Sequence, residues 1–299
     1  MFSGMRSRLR EARNAFYRTW YSHYPEALKK QQTDHKAGQL LLQQHYRQLA
    51  RTPGAQLPSF AEVGFRQYSQ FEEDGILLYI FSLIEPRTRT CVEICAGDGI
   101  ECNTANLIIN HGWWGQLFDG NPERVARGTV FYRDHKDTFL HPPGFTHAWI
   151  DAANVNDLIR ATGLAGDIDL LSLDLDGVDY WIWKAIDVVR PTVVVCEIHN
   201  PVPPDVAVTM PYQADFVLSS FADDFRGASL AAMVKLGKTK GYRLVGTHRY
   251  GFNAFFVRDG VAEECLPEVA AADCARDPYT QLAQRTRWPA VKDKGWVHV

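Results

Sequence analysis

The chain predicts an α/β fold: a seven-stranded, mostly parallel sheet with one antiparallel strand, helices on both faces, and a helical N-terminal extension. Three observations predict it. Short, continuous apolar segments alternate with segments of helical pattern from residue 74 to residue 241. Continuous apolar strands are buried on both faces, as in a parallel sheet covered by helices. The last two strand-like segments, "YRLVGTHR" and "FNAFFVRD", are joined by a connection too short for a parallel crossover, so one of them runs antiparallel.

Each element follows from its own pattern. Residues 5–50 read as helical, with Pro25 and "RTPGAQLP" (51–58) as punctuation. This places an extension at 1–58, a main domain at 59–265 and a C-terminal tail at 266–299. In the main domain "DGILLYIFSLI" (74–84) is a helix, "TCVEIC" (90–95) a buried strand and 102–111 a helix. "WGQLFDG" (114–120) is a strand, and "PERVARGTVFY" (122–132) a helix opened by Pro122. "HAWIDA" (147–152) is a strand and "VNDLIRATG" (155–163) a helix. "IDLLSLDLDG" (168–177) is a strand, "YWIWKAIDVV" (180–189) a helix and "PTVVVCEIHN" (191–200) a strand. After an irregular stretch, 228–241 is a helix that leads into the terminal pair.

Composition narrows the function classes. A formal net charge of −3 over 299 residues provides no basic field, so nucleic acid is not an expected partner. No stretch reaches the ~18 apolar residues of a membrane span. Six cysteines (91, 95, 102, 196, 265, 274) form no C-x-x-C pair, which points to reduced thiols in a cytoplasmic protein. Cys91, Cys95 and Cys196 are expected in buried strands.

In open sheets of this kind ligands sit beyond the carboxyl ends of the strands, and that is where the acids of this chain fall. The first strand ends with Glu93, Gly97 and Gly99; the glycines allow close backbone approach, or simply make a tight turn. The second ends at Asp119, about twenty residues further on, where an acid accepts hydrogen bonds from the two hydroxyls of a ribose. The third ends at Asp151, a candidate adenine contact. Asp119 and Asp151 are also candidate helix caps. The fourth ends in "LDLDGVD". Asp174 and Asp176 share a face if the strand continues through them, and Asp179 reads as a helix cap. The fifth ends with Glu197, His199 and Asn200. Asp174, Asp176, Glu197 and Asn200 form a candidate oxygen-ligand site for magnesium or manganese, with carboxylates bonded to helix amides as the alternative. His199 is the candidate general base, with Asp174 and Asp176 beside it as catalytic candidates.

These motifs resemble the class I S-adenosylmethionine-dependent methyltransferases of Rossmann-like fold, and the FkbM-type family among them. "VEICAGDG" is similar to the first motif, E-x-G-x-G-x-G, with Cys95 in place of its first glycine. "LFDGN", "DLLSLDLDGVDYWIWKAI" and "VVVCEIHN" resemble the second-, fourth- and fifth-strand motifs, and "QYSQFEEDGILLYIF" the segment ahead of the first strand. The resemblance covers about residues 65–260. It implies S-adenosylmethionine with its methionine part by the glycine loop and Glu93 near the amine. Asp119 would hold the ribose and Asp151 or its neighbours the adenine, with Ser69 and Gln70 reaching the methionine carboxylate.

A hydroxyl acceptor needs a base or a metal, because its pKa lies far above neutral. The acids at the fourth and fifth strand ends favour O-methylation of a small molecule or glycan. The N-terminal helices are a candidate homo-oligomer contact. Two other classes share the strand-end pattern: a nicotinamide-dependent oxidoreductase, and a binding protein without chemistry on a methyltransferase fold. The missing third glycine of the dinucleotide motif and the antiparallel terminal pair count against the former.

Overall fold

The computed structural model describes residues 35–218 and 224–299. Contacts divide the chain into two compact units, 1–42 and 43–299. The expected helices over residues 5–34 lie outside the described residues. A helix does form over Lys36–Arg51 (α1), and everything below concerns the second unit.

Seven strands form one sheet. Its members are β1 (Thr90–Ile94), β2 (Trp114–Asp119), β3 (Gly144–His147), β4 (Gly166–Leu173) and β5 (Val189–Glu197), all parallel, in the order β3-β2-β1-β4-β5. A short pair, β6 (Val208–Thr209) with the C-terminal β9 (Val297–His298), lies outside this sheet. β7 (Tyr242–Thr247) and β8 (Asn253–Arg258) complete the seven. β8 inserts between β5 and β7 and runs antiparallel to both. The single reversed strand is therefore the last in sequence, as the short connection requires.

The period-two alternation of strand residues divides the core between the two faces. Val92, Ile94, Leu171, Leu173, Val194, Cys196 and Phe256 face one side. There they meet helices α6 (Val155–Ala161), α7 (Asp179–Ala185) and α8 (Leu230–Thr239) through Ile159, Trp183 and Met233. Cys91, Leu117, Leu170, Val193, Val195, Phe255 and Val257 face the other. Ile76, Leu77 and Ile80 of α3 (Glu73–Leu83) and Ile108 of α4 (Ala105–His111) cover them. Short α2 (Phe60–Val63) precedes α3, and α5 (Pro122–Asp134) follows β2.

Three strand expectations are corrected. β3 lies at Gly144–His147 rather than 147–152. Its first residue, Gly144, pairs with Gln116, and a Cβ there would lie 2.1 Å from the Gln116 Oε1. β2 ends at Asp119, so after one further bond, Ala148 N–H to Asp119 O at 3.1 Å, the chain has no ladder partner. β4 stops at Leu173, so Asp174 and Asp176 do not share a strand face. β1 ends at Ile94, and the amides of Leu175 and Gly177 turn onto the Asp179 carboxylate at 2.8 and 3.1 Å. Cys95 is not in a buried strand; it is exposed, just past β1.

The segment 266–299 carries α9 (Ala271–Cys274), α10 (Pro278–Thr286) and β9. Asp277 caps α10 by accepting from the Tyr279 amide at 2.8 Å. No helix among the described residues is long and apolar enough to cross a membrane.

Candidate active site

The loop after β1 is shaped by alternate left-handed residues: Cys95, Gly97 and Gly99 have φ of 65°, 62° and 68°. Positive φ is strained for any residue with a Cβ, which explains why glycine suits these positions and why Cys95 sits there at a cost. The two glycines differ in role. A Cβ on Gly97 would meet nothing within 4 Å, so that face is open. A Cβ on Gly99 would lie 2.9 Å from Leu117 and 3.1 Å from the Phe145 and Tyr132 rings, so Gly99 serves packing. The Cys95 thiol is pushed up by the crowded cleft around it, and then by Asp179, Asp119, Asp174 and Asp176.

Glu93 does not face the open side of this loop. It is buried, and its carboxylate accepts from the Asn103 and Thr104 amides, both at 2.9 Å, and from the Thr104 and Ser172 hydroxyls. It satisfies the free amides ahead of α4, where a negative charge is favourable. Its carboxylate thus serves as a cap for this turn.

Asp119 is placed differently. Its Oδ2 accepts from Gly97 N–H at 2.9 Å and its Oδ1 from Asn121 N–H at 2.8 Å, which leaves acceptor capacity on both oxygens. It does not cap α5; Asn121 does, accepting from the Glu123 and Arg124 amides at 2.9 and 3.1 Å. Asp151 is a cap. Its Oδ1 accepts from Ala153 and Asn154, both at 2.8 Å, ahead of α6. Beside it the exposed Trp149 ring lies over Gly120, 3.1 Å from where a Cβ would be.

Ser69 is fully buried, and both its amide and its hydroxyl donate to Asp74 Oδ2, at 2.7 and 2.9 Å. The same oxygen accepts from the Gln67 and Tyr68 amides, while Asp74 Oδ1 is buried without a partner. Burial pushes the Asp74 carboxyl up to about 6 against these donors. Ser69 is thus engaged within its own turn, and Gln70 is exposed.

Asp174, Asp176 and Glu197 converge: one oxygen of each lies within 4.8 Å of the others. β4 and β5 are neighbours, so their carboxyl ends bring the three acids together although β4 itself has ended. Asp176 adopts a left-handed φ of 60°. Desolvation, then Asp179 and Asp176, holds the Asp174 carboxyl well above its ordinary range; desolvation, then Asp174, does the same to Glu197. Arg226 partly offsets this, its Nη1 standing 3.1 Å from both the backbone oxygen and Oδ1 of Asp176.

His199 lies outside this group. Its Nε2 is 2.7 Å from the Asp224 carbonyl, so that nitrogen carries the proton. Burial and then Arg226 push the imidazole down to about 4, which makes it a weak base. Asn200 is buried, with Nδ2 donating to the Tyr250 carbonyl at 2.8 Å. Asp179, at the first turn of α7, is occupied by the loop amides already described. Trp183 is in the core against Phe256, and Trp181 donates to the Met210 carbonyl at 2.9 Å.

Pocket-lining residues were expected in 201–227 and around His248 to Asn253, where Arg226, Tyr250 and Phe252 lie, but Glu73 and Tyr279 were not expected. Glu73 is fully buried, accepting from Asn253 Nδ2 at 2.9 Å, with His248 Nε2 3.4 Å away. Its signal was the unbroken acid run "FEED", which sequence alone places at a solvated helix start. Arg226 and the aromatic residues of 250–252 and 279 carried no motif. A cavity of about 750 Å³ lined by Phe60, Tyr79, Val245, Cys265 and Cys274, and also by His248, Arg249 and Asp277, includes none of the expected catalytic, cofactor or metal residues.

No family model and no curated protein sequence matches the chain. Solved structures with a similar fold are methyltransferases of low identity. Magnesium protoporphyrin IX methyltransferase of Synechocystis PCC 6803, with bound SAM, is 12% identical over 82% of this chain and 96% of its own, with a TM-score of 0.38. The CcbJ methyltransferase of Streptomyces caelestis is 14% identical over 68% of this chain and 93% of its own, with a TM-score of 0.40. The glycopeptide N-methyltransferase MtfA in complex with SAM is 10% identical over 59% and 84%, with a TM-score of 0.36. At these identities the likenesses carry neither activity nor substrate to this chain.

Proposed function

We propose that the chain is an S-adenosylmethionine-dependent methyltransferase that methylates a hydroxyl of a small molecule or glycan, with magnesium or manganese at its acidic group. The observation that carries this reading is the convergence of Asp174, Asp176 and Glu197 within 4.8 Å at two neighbouring strand ends. β1, with its open Gly97 loop, adjoins β4 on the other side. The reversed β8 also favours it over a nicotinamide enzyme, whose doubly wound sheet is built from parallel halves. The unpaired cysteines suit a cytoplasmic setting.

The residues fit both groups. Gly97 leaves backbone open to close approach, and Asp119 retains acceptor capacity for a hydroxyl pair. Asp174 and Glu197, whose carboxyls are held above the ordinary range by burial and then by neighbouring carboxylates, stand with Asp176 as an all-oxygen donor set that fits a hard cation. Asn200, its nitrogen held by Tyr250, has its oxygen left to add.

S-adenosylmethionine supplies a methyl group made electrophilic by its sulfonium. A divalent cation would lower the pKa of a hydroxyl beside it. The chain orients the acceptor and takes its proton. His199, pushed down to about 4, is a weak base; without a cation at the acidic group, a buried carboxylate with a raised pKa, Asp174 or Glu197, is the better proton acceptor.

Calorimetric titration with S-adenosylmethionine and with NAD, followed by manganese titration read by electron paramagnetic resonance, tests the reading. Binding of the former cofactor alone is expected, with manganese affinity at least about tenfold weaker in Glu197→Gln, since a charged ligand atom is lost. NAD binding alone would overturn the methyltransferase reading. No manganese binding in the cofactor-loaded wild type would remove the metal and leave the carboxylates as bases.

A further inference from the structure

Four aromatic rings beside the acidic group have no part in cofactor binding as proposed above. Phe71 stacks on Phe252 at 5.1 Å between centroids and meets Tyr250 at 5.8 Å. Tyr279, on α10, meets Tyr250 edge-on at 5.8 Å and Phe252 at 5.7 Å. They come from three separate parts of the chain: the segment before α3, the β7–β8 turn and α10.

Backbone bonds hold this cluster against the end of β5. Ile198 N–H donates to the Phe252 carbonyl at 2.7 Å, and Asn253 pairs with Glu197 in the β5–β8 ladder. Asn200 and the Thr280 hydroxyl both donate to the Tyr250 carbonyl, at 2.8 and 3.1 Å. The turn is therefore clamped, yet its rings are not packed away. Phe71, Tyr250 and Phe252 are half-buried and Tyr279 is 41% exposed, whereas the neighbouring core rings Phe255 and Phe256 are fully buried.

The surroundings select what such a surface would take. Among the described residues the cation over these rings, Arg249 at 5.1 Å from the Tyr250 centroid, is paired with Glu72. The carboxylates next door repel an anion. A neutral ring with an apolar face suits the aromatic surface, and a hydroxyl at its edge suits the acids.

We propose that Phe71, Tyr250, Phe252 and Tyr279 form the acceptor platform, seating one ring of the acceptor so that its hydroxyl reaches toward Asp174 and Glu197. This rests on the methyltransferase reading of the same site. A pyranose and a phenol share the required chemistry, a flat face with a hydroxyl at its rim. The C-terminal segment thereby contributes to acceptor specificity through Tyr279.

Saturation-transfer NMR on protein loaded with S-adenosylhomocysteine tests this, with methyl β-glucopyranoside and catechol as separate probes. Ring-proton saturation of at least one probe is expected, and which one responds assigns a sugar or a phenol. Tyr279→Ala should reduce that signal at least about threefold, since the ring that packs on the acceptor is lost. Tyr279→Phe should retain it, and neither change should alter S-adenosylhomocysteine affinity. Silence of both probes in cofactor-loaded wild type, an undiminished signal in Tyr279→Ala, or loss in Tyr279→Phe would each overturn the platform. Failure of the wild type to bind S-adenosylhomocysteine at all would instead overturn the methyltransferase reading.

Discussion

Asp119 is where the cofactor proposal is most exposed to test at the level of a single residue. Its two oxygens each take one backbone amide and retain acceptor capacity, so a ribose would gain hydrogen bonds to a charged group. Each such bond is worth about 1.5–3 kcal/mol, so Asp119→Ala should weaken S-adenosylmethionine binding at least about tenfold by calorimetry. An unchanged dissociation constant would sink the ribose role. His199 allows a prediction about stability. Its folded imidazole is pushed down to about 4, chiefly by burial, whereas the unfolded value is near 6.5. Between these values the unfolded chain binds more protons, so this contribution is complete above about pH 6.5 and is lost as pH falls toward 4. From about pH 7 to about pH 4.5, wild type should lose about 2 kcal/mol more than His199→Gln in urea unfolding. Equal losses would mean that His199 is not a buried neutral group. The sequence showed which strand ends carry His199 and Glu93 but not how their polar atoms are used. Glu93 follows an apolar strand just as Asp119 does. Only the folded chain shows that the amides and hydroxyl of 103–104 claim the first, while the second accepts one backbone amide on each oxygen.

Among the elements, the β1 loop was the most legible and the ends of the strands were the least. Gly97 and Gly99 after a buried strand marked a close-approach or tight-turn loop, and the structure gives it left-handed φ at 95, 97 and 99. Strand termini depend on where a neighbour ends. β3 and β4 were misplaced because the limits of β2 and β1 set them, and no local pattern in 147–152 or 174–177 records a partner's length. The loop itself yields a contrast. Gly97→Ala meets open space and carries only the left-handed strain, about 1 kcal/mol. Gly99→Ala adds contacts of 2.9–3.1 Å with Leu117, Phe145 and Tyr132, and overpacking costs a further ~1–3 kcal/mol. Thermal unfolding should therefore separate the two, with Gly99→Ala clearly the less stable. Cofactor affinity should separate them in the other direction, with Gly97→Ala the weaker binder relative to its stability. Equal destabilisation would mean that both glycines serve packing alone.

The architecture of the whole molecule was readable because strand–helix alternation and one short terminal connection constrain the sheet to few arrangements. The course of residues 266–299 was not, since α9, α10 and β9 are short and take their places from contacts far away in sequence: β9 pairs with β6, and Thr280 bonds to Tyr250. The other end of the chain carries the last prediction. An extension over residues 1–58 was expected, whereas the compact unit begins at 43. Within that unit Tyr46 is 7% exposed and meets Tyr79 edge-on at 4.9 Å. The two cuts should therefore behave differently. Deleting 1–42 should leave a cooperative thermal transition and S-adenosylmethionine binding intact. Deleting 1–58 also strips Tyr46 from Tyr79, and losing a large buried aromatic costs about 3–5 kcal/mol, so its midpoint should fall by many degrees. We propose that the extension serves self-association, because apolar residues at helical spacing in its sequence call for a partner surface. Sedimentation should then show the shorter deletion with a lower mass than the full chain, while its cofactor affinity is unchanged. An identical oligomeric state in both would remove the extension from assembly, and a lost cofactor site would mean that the domain does not begin at 43.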